Sequence, residues 1–307
     1  MTTERDISGL LQRRLLVLTG KGGVGKTSCC AALALCARRA ARRVLLAEVF
    51  TTRRLPALFG LAVDGDGPIS LRPGLDWIRI TPARALETYA MQLLKLRTIY
   101  RAVFEQRSVQ RFLQVVPSLA EILVLGHLVH LVQRGGYDLV ILDAPSSGPG
   151  ALMLEAPRVV IETAPPGSLS DGAAWIHKQL SDPASTAVNL VVLLEELPVS
   201  EAIALHHRLR DRDGFPLGWI LANRCLADPF PRGAVPLSAE ECEGPACALL
   251  AAARIYRSRL ALQGRYFDRL RAGVDLYALR LPEIASGPFG PEAIEQLASA
   301  IESGGMP

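Results

Sequence analysis

The chain has 307 residues, of which 50% are apolar and 21% charged, and its formal net charge is +4. A chain of this length buries roughly three quarters of the surface that it exposes when unfolded, enough for one large domain. The basic clusters, such as Arg38-Arg39 and Arg42-Arg43, are short and lack interleaved aromatic residues, which favours a solvated surface over a nucleic-acid-binding patch. We therefore expect a single domain over residues 1–307 that binds no nucleic acid.

The compartment is indicated by the apolar runs and the cysteines. Residues 1–14 are polar and lack the apolar core of a secretory signal, and no stretch approaches about 18 uncharged apolar residues, so no transmembrane segment is predicted. The six cysteines suit a reducing environment better than a disulfide framework. We expect a cytoplasmic protein. We expect no membrane-anchoring amphipathic helix in residues 303–307.

Residues 15–41 predict a strand, a phosphate-binding loop and a helix. The strand is Leu15-Leu16-Val17-Leu18, the helix covers 28–41, and the loop between them follows G-x-x-x-x-G-K-[ST]. Its glycines let backbone N–H groups turn toward phosphate oxygens, a lysine reaches the β- and γ-phosphates, and a threonine hydroxyl holds Mg²⁺. A chance glycine-rich turn is the alternative. The candidate nucleotide-binding residues are Gly20, Gly22, Gly23, Val24, Gly25, Lys26, Thr27 and Ser28.

The lysine directly after the first glycine, Lys21, carries a family resemblance. The loop resembles the deviant Walker A motif shared by the ArsA and tail-anchored-protein targeting ATPases, MinD, ParA and the nitrogenase iron protein. In that family this lysine reaches the nucleotide of a partner subunit. The resemblance implies an ATPase that binds ATP or ADP with Mg²⁺ and dimerises with itself or with an ArsA-like paralogue, with Lys21 and Lys26 as catalytic residues.

The next segment departs from the family. Residues 44–60 align without gaps with the ArsA pattern V-L-L-x-x-T-D-P-A-H-N-L-x-D-x-F-G, but Phe50 stands where that pattern has the aspartate that activates water. Phenylalanine cannot accept a proton, so hydrolysis is expected to be weak or to depend on another chain. Glu48, on the same face of the strand, is a candidate replacement, or else an acidic group near a strand end. Arg53 and Arg54 replace the His-Asn pair and either contact phosphate or are exposed loop arginines.

A long helical region is predicted over 82–134, after a strand at 76–80. Its apolar stripes are typical of core packing. Its place in the chain is similar to that of the helical insertion that binds client proteins in the targeting ATPases. However, Met91 is its only methionine, which argues against a groove that adapts to many hydrophobic clients. A protein client on this insertion therefore stays one of two interpretations.

Residues 137–143 predict a buried strand that ends in Asp143. The sequence DAPSSGPG that starts there resembles switch II of the family, with Pro149 in place of the family histidine. A carboxylate at the carboxyl end of a parallel strand can hold Mg²⁺ through water, so Asp143 is the second metal candidate beside Thr27. A buried capping aspartate is the alternative. By resemblance, the backbone N–H of Gly148 senses the γ-phosphate.

The remaining chain predicts elements that complete an α/β fold. The strands are expected at 187–194, 217–222 and 275–281, and the helices at 200–210, 246–272 and 292–301. By resemblance, Asn223 reads the adenine edge, Arg224 lies beside it, and Pro282 opens a loop that covers the base. A turn-forming asparagine is the alternative for Asn223. Cys242 and Cys247 are spaced C-x-x-x-x-C, whereas the targeting ATPases share one zinc across the dimer through C-x-x-C, so we expect free cysteines and no zinc. A four-sulfur zinc site with two thiolates from each subunit is the alternative.

Apolar strands alternating with helices predict a doubly wound, mostly parallel sheet with a helical insertion and with nucleotide at the carboxyl edge of its strands. The function implied by the resemblance is an ArsA-like ATPase that uses ATP as a dimeric conformational switch. A second interpretation is an inactive ATP-binding regulatory subunit paired with an active paralogue, which the phenylalanine at position 50 favours. A surface-binding partner of the MinD or ParA type and an arsenite pump subunit are less well supported.

Overall fold

A computed structural model describes residues 7–49, 54–94, 118–134, 136–229, 245–284 and 289–306. Within them, eight strands form one sheet in the order β3-β4-β2-β5-β1-β6-β7-β8. Neighbouring strands are parallel except β3 and β4, which are antiparallel. This confirms the α/β, mostly parallel fold. The strands are β1 (Leu15–Gly20), β2 (Val44–Val49), β3 (Ile69–Arg72), β4 (Leu75–Ile80), β5 (Leu139–Ser146), β6 (Thr186–Leu193), β7 (Leu217–Cys225) and β8 (Ala278–Pro282).

Ten α-helices lie in the described ranges, and none of them is both long and apolar enough to cross a membrane. A π-helical turn, Arg208–Arg212, continues the eighth helix. The helices are α1 (Ile7–Leu11), α2 (Lys26–Arg39), α3 (Arg54–Leu58), α4 (Pro82–Leu94), α5 (Leu119–Arg134), α6 (Ser147–Thr163), α7 (Ser168–Ser181), α8 (Glu196–His207), α9 (Pro245–Gly273) and α10 (Pro291–Glu302).

The sheet is covered by helices on both faces. In β1, Leu15 and Val17 point to the layer that contains α5 to α9, whereas Leu16 and Leu18 point to the layer of α1, α2, α3 and α10. All four side chains have no exposed surface. Strands buried on both faces have nearly continuous apolar sequences, and this is why the strands were recognisable without an alternating pattern.

Helix α2 is buried along most of its length. Its residues from Cys29 to Ala37 are all buried, because α10 covers the side of α2 that faces away from the sheet. Burial, with a smaller effect from the charge of Asp143, raises the pKa of Cys29 to about 12. Burial likewise raises the pKa of Cys36 to about 12. These thiols are therefore core groups rather than reactive ones.

Several elements differ from the sequence interpretation. The predicted helical region 82–134 contains α4 and α5, and residues 95–117 between them lie outside the described residues. The last strand begins at Ala278 rather than at residue 275. Helix α6, which contains Pro157 among its buried residues, was not predicted from the sequence.

Asn189 is a polar residue in an otherwise apolar strand, and its contacts explain its position. Its side chain is fully buried where the register between β6 and β7 shifts. Its Oδ1 accepts the backbone N–H of Trp219 at 2.8 Å, and its Nδ2 donates to the carbonyl of Ala187 at 3.2 Å. A Cβ on Gly218 would lie 2.4 Å from that Oδ1. The Asn189 side chain therefore makes hydrogen bonds in place of a backbone pair where the register shifts.

We expect Asn189→Val to lower the free energy of unfolding by about 2 kcal/mol, because it leaves the buried N–H of Trp219 without an acceptor. Urea denaturation followed by circular dichroism measures this change. Gly218→Ala should destabilise the same contact by crowding the amide. An Asn189→Val protein within about 0.5 kcal/mol of the parent would show that this bond does not hold the strands together.

Candidate nucleotide-binding site

The loop between β1 and α2 is pressed closely against neighbouring strands. Gly20 has a φ of +144°, and a Cβ there would lie 2.2 Å from the carbonyl oxygen of Val191 in β6. Gly25, with a φ of +95°, caps the start of α2, and a Cβ there would lie 2.2 Å from Nδ2 of Asn223. Only glycine fits either position. Between them, Val24 is buried, while Gly22 and Gly23 are exposed.

The Lys26 side chain folds over this loop. Its Nζ donates to the carbonyl oxygens of Gly20 and Lys21, each at 3.1 Å. Burial lowers the pKa of Lys26, and the charge of Asp143 opposes that effect. Ser28 follows in the first turn of α2, where it is half-buried. The loop thus presents an ammonium group and the N-terminus of a fourteen-residue helix to the same space.

Thr27 and Asp143 meet at the centre of the site. Asp143 lies within β5, which continues for three residues beyond the predicted end of the strand at Asp143. It pairs with Leu18 of β1, and its Oδ2 accepts the Thr27 hydroxyl at 2.6 Å. Burial raises the pKa of Asp143, whereas the Thr27 hydrogen bond and the charges of Lys26 and Arg54 lower it. A hydroxyl and a carboxylate side by side fit Mg²⁺, which keeps several waters and takes phosphate oxygens. In the described residues no cluster of three or more His, Cys, Asp and Glu forms a closed metal cage.

Lys21 forms an ion pair within its own chain. Its Nζ contacts Oε1 of Glu201 in α8, and both side chains are about one third exposed (34% and 40%). The other carboxylate oxygen, Oε2, accepts the Ser147 hydroxyl at 3.2 Å. The hydrogen bond from Lys21 lowers the pKa of Glu201. This contact joins the loop, α8 and the start of α6; the sequence interpretation did not identify Glu201.

Helix α6 starts directly beside the phosphate loop. A Cβ on Gly150 would lie 2.7 Å from the carbonyl of Pro145 and 2.8 Å from Oγ1 of Thr19, so only glycine allows this approach to β1. Gly148 lies in the first turn of α6 and is exposed. Its position at a helix N-terminus is compatible with an N–H group that contacts phosphate. That contact stays a prediction.

The Glu48 carboxylate is buried, and three N–H groups donate to it. Oε2 accepts the indole Nε1 of Trp77 at 2.7 Å and the backbone N–H of Leu55 at 3.3 Å, and Oε1 accepts the backbone N–H of Arg54 at 3.0 Å. Burial, which outweighs these bonds, raises the pKa of Glu48 to about 7. The carboxylate therefore anchors the start of α3, a role that the sequence interpretation missed. Phe50, like Arg53, lies outside the described residues.

Residues at the ends of β7 and β8 form one side of the site. The Nδ2 of Asn223, which is 6% exposed, donates to the carbonyl of Val24 at 2.9 Å, so this side chain supports the phosphate loop. Arg224 has a φ of +56° and pairs with Glu283 at 3.2 Å, just after Pro282. Gln263 of α9 donates to the carbonyl of Arg224 at 3.2 Å. An adenine contact by these residues stays a prediction.

Of the two cysteines considered for zinc, Cys247 is half-buried on α9. Cys242 lies outside the described residues. The expectation of free cysteines at this pair therefore stays a prediction.

Comparison with known proteins agrees with this geometry. The anion-transporting ATPase family model matches residues 13–164, from the start of β1 to the end of α6. The chain is 28% identical over 306 residues to the arsenical pump-driving ATPase of Acidiphilium multivorum, covering 96% of this chain and 46% of that protein. It is 28% identical over 290 residues to an arsenical pump-driving ATPase of Escherichia coli, covering 92% and 44%. Over most of its length the chain is therefore similar to the ArsA-like ATPases.

A further relative is ATPase BagA of Mycobacterium tuberculosis. It is 30% identical over 222 residues, which cover 69% of this chain and 65% of that protein. The chain thus spans less than two thirds of the length of each of these three relatives. The activities of the whole relatives are therefore treated below as proposals for this ArsA-like chain.

The raised pKa of Glu48 predicts how stability depends on pH. Because this pKa is about 7 in the folded chain and 4.5 ordinarily, the folded state holds the proton more tightly. The resulting stability is present below pH 4.5 and is lost as pH rises through 7. Between pH 5 and pH 8 we expect the free energy of unfolding of the parent to fall by about 2 to 3 kcal/mol more than that of Glu48→Gln.

Urea titrations at a series of pH values measure this difference. Glu162→Gln, which removes an exposed carboxylate at the end of α6, is the matched control and should follow the parent. Parallel pH profiles for the parent and Glu48→Gln would mean that Glu48 does not titrate in this range.

Proposed function

We propose that this chain, as a single ArsA-like unit over residues 1–307, binds and hydrolyses ATP and acts as a nucleotide-dependent dimeric switch. The observation that carries the proposal is the contact between Thr27 and Asp143 beside Lys26, at the loop whose glycines approach β6 and β7. It brings a hydroxyl and a carboxylate that suit Mg²⁺, a lysine that suits phosphate and a helix N-terminus to one place, which supports the proposal. The buried free thiols of α2 favour a cytoplasmic protein.

The proposed roles follow from the positions of the side chains. Lys26 binds the β- and γ-phosphates after leaving the loop carbonyls that it now contacts. Thr27 and Asp143 hold Mg²⁺, which when bound neutralises charge on the phosphates. Gly148 contacts the γ-phosphate through its N–H, so that α6 responds to hydrolysis. Asn223, Arg224 and Pro282 line the base side.

Glu48 is proposed in two roles that experiment separates. Its pKa of about 7 suits a general base near neutral pH. Its three N–H donors instead favour a fixed anchor, since a base must be able to reach the attacking water. The anchoring role is better supported by these contacts.

A second candidate function is an ATP-binding subunit that depends on an active ArsA-like paralogue. Phe50 favours it, because the family position for the water-activating aspartate holds a side chain that cannot take a proton. We do not propose arsenite binding, although two relatives are named for an arsenical pump. The four cysteines Cys29, Cys30, Cys36 and Cys225 are all buried, and burial raises their thiol pKa values. A protein client on the 82–134 insertion is compatible with both functions.

Single-turnover hydrolysis of Mg-ATP by the purified chain separates these two functions. We expect slow turnover that Lys26→Ala reduces at least about 100-fold, because the loss of the lysine removes phosphate binding and charge stabilisation. Tight ATP binding with no turnover above the Lys26→Ala blank would instead support the regulatory subunit.

Glu48→Gln in the same assay tests the general base. If the hydrolysis rate of the parent rises with pH through about 7 and this variant abolishes hydrolysis, Glu48 is the base.

The ion pair of Lys21 generates a prediction about assembly. If Lys21 acts on the nucleotide of a partner subunit, it must first leave Glu201. We therefore expect Lys21→Ala to abolish ATP-dependent dimerisation, and Glu201→Gln to lower the ATP concentration needed for dimers several-fold. Sedimentation velocity with ATP, with ADP and without nucleotide measures both effects.

The Lys21–Glu201 ion pair is partly exposed, so Glu201→Gln should change the free energy of unfolding by less than about 1 kcal/mol. A Lys21→Ala chain that dimerises like the parent would contradict the role in trans.

A further inference from the structure

We propose that Arg54 is a further catalytic residue, which binds the γ-phosphate of ATP and neutralises charge that develops there during hydrolysis. This inference rests on the proposed function and deepens it. It concerns a position where the ArsA pattern has asparagine and where the sequence by itself left phosphate contact and an exposed loop arginine as alternatives.

The first step is the position of β2 beside the magnesium candidates. Strand β2 pairs with β5, and Glu48 lies directly opposite Asp143 in the register. The sheet order is β2-β5-β1, so the chain that leaves β2 emerges one strand beyond Asp143, on the side away from the β1 loop. With the α- and β-phosphates held in the β1 loop, residues that follow β2 lie on the side of the terminal phosphate.

The second step is the anchor that returns the chain to this edge. The Glu48 carboxylate accepts the backbone N–H groups of Arg54 and Leu55, six and seven residues further on. The same carboxylate accepts the indole N–H of the fully buried Trp77. Leu55 has no exposed surface and packs into the core layer that contains α2. The backbone of Arg54 is therefore held near the strand that carries Asp143.

The third step is the charge at this edge. The Arg54 side chain is exposed and makes no ion pair or hydrogen bond within the part of the chain that the structure describes. Burial is the main cause of the lowered pKa of Lys26, and the positive charge of Arg54 lowers it further. Burial raises the pKa of Asp143, and the charge of Arg54 opposes that rise together with the Thr27 hydrogen bond and the charge of Lys26. Among the described residues, Lys21 is paired with Glu201. Lys26 and Arg54 lie near two carboxylates, Asp143 and Glu48, of which Glu48 is held by N–H donors rather than by a cation. A polyanion between Lys26 and Arg54 removes the repulsion of these two cations.

The fourth step is the chemistry. During hydrolysis the oxygen of water forms a bond to the γ-phosphorus, the bond from that phosphorus to the β–γ bridging oxygen breaks, and the proton of the water passes to phosphate or to a base. Arg54 transfers no proton. Its guanidinium donates two parallel hydrogen bonds to equatorial γ-oxygens, as an arginine supplied in cis does in other nucleotide hydrolases. This contact does not depend on a side chain at position 50.

The test compares ATP with ADP, because only ATP carries the group that Arg54 is proposed to bind. Calorimetry with Mg-ATP and Mg-ADP and single-turnover hydrolysis are measured for the parent, Arg54→Ala and Arg54→Lys. We expect Arg54→Ala to weaken ATP binding about 10-fold or more, to change ADP binding less than about two-fold, and to slow hydrolysis about 100-fold. Arg54→Lys should recover part of the ATP affinity and little of the rate, because an ammonium cannot make the two parallel bonds.

Arg134→Ala is the matched control. Arg134 is also exposed, but it is the last residue of α5, just before β5 begins. It therefore lies toward the amino-terminal ends of the strands, away from the phosphate loop. Its removal changes net charge equally and should leave ATP binding, ADP binding and rate unchanged. Thermal unfolding monitored by circular dichroism establishes that each variant is folded.

Several outcomes would overturn the inference. Equal losses of ATP and ADP affinity would mean that Arg54 acts only through general charge, and unchanged ATP affinity would mean that it does not contact the γ-phosphate. A parent chain that binds ATP without ever hydrolysing it would overturn the catalytic role alone. A parent chain that binds neither nucleotide would overturn the proposed function itself, and this inference with it.

Discussion

The structure depends on the close approach of backbone segments around the end of β1. Three glycines make that approach possible, because a Cβ at Gly20 would lie within 2.8 Å of an atom of β6, one at Gly25 within 2.8 Å of an atom of β7, and one at Gly150 within 2.8 Å of atoms of β5 and β1. Each contact ties the phosphate loop to a different part of the sheet. The loop therefore cannot move independently of the strands beside it, and Lys26, Thr27 and Asp143 are placed together as a consequence.

Paired or hydrogen-bonded charges, some buried and some partly exposed, organise the edge of the sheet around this loop. Asp143 is balanced by Thr27 and by nearby cations, Lys21 by Glu201, and Glu48 by three N–H donors. A buried carboxylate is tolerated only where donors or cations surround it. In this chain, each such carboxylate also joins elements that lie far apart in the sequence. The same contacts therefore balance the charges of the site and hold distant elements of the fold together.

The ArsA-like chain departs from the ArsA pattern where β2 ends. In the family pattern an aspartate and a His-Asn pair follow this strand; here a phenylalanine and two arginines follow it. The change removes the carboxylate of that aspartate from the sequence after β2 and adds two positive charges. A phenylalanine cannot activate water, whereas an arginine can stabilise negative charge. This difference concerns chemistry and leaves the parallel sheet intact.

The sequence alone determined the α/β class, the phosphate loop and the strand that carries Asp143, because glycine spacing and continuous apolar strands are local signals. Its family resemblance agrees with the comparisons. Only the tertiary structure decided which side chains meet. The pair of Lys21 with Glu201, 180 residues apart, and the anchoring of α3 by Glu48 follow from strand order and register. Neither can be read from local pattern, since a carboxylate that binds water and one that caps a helix look alike in a sequence.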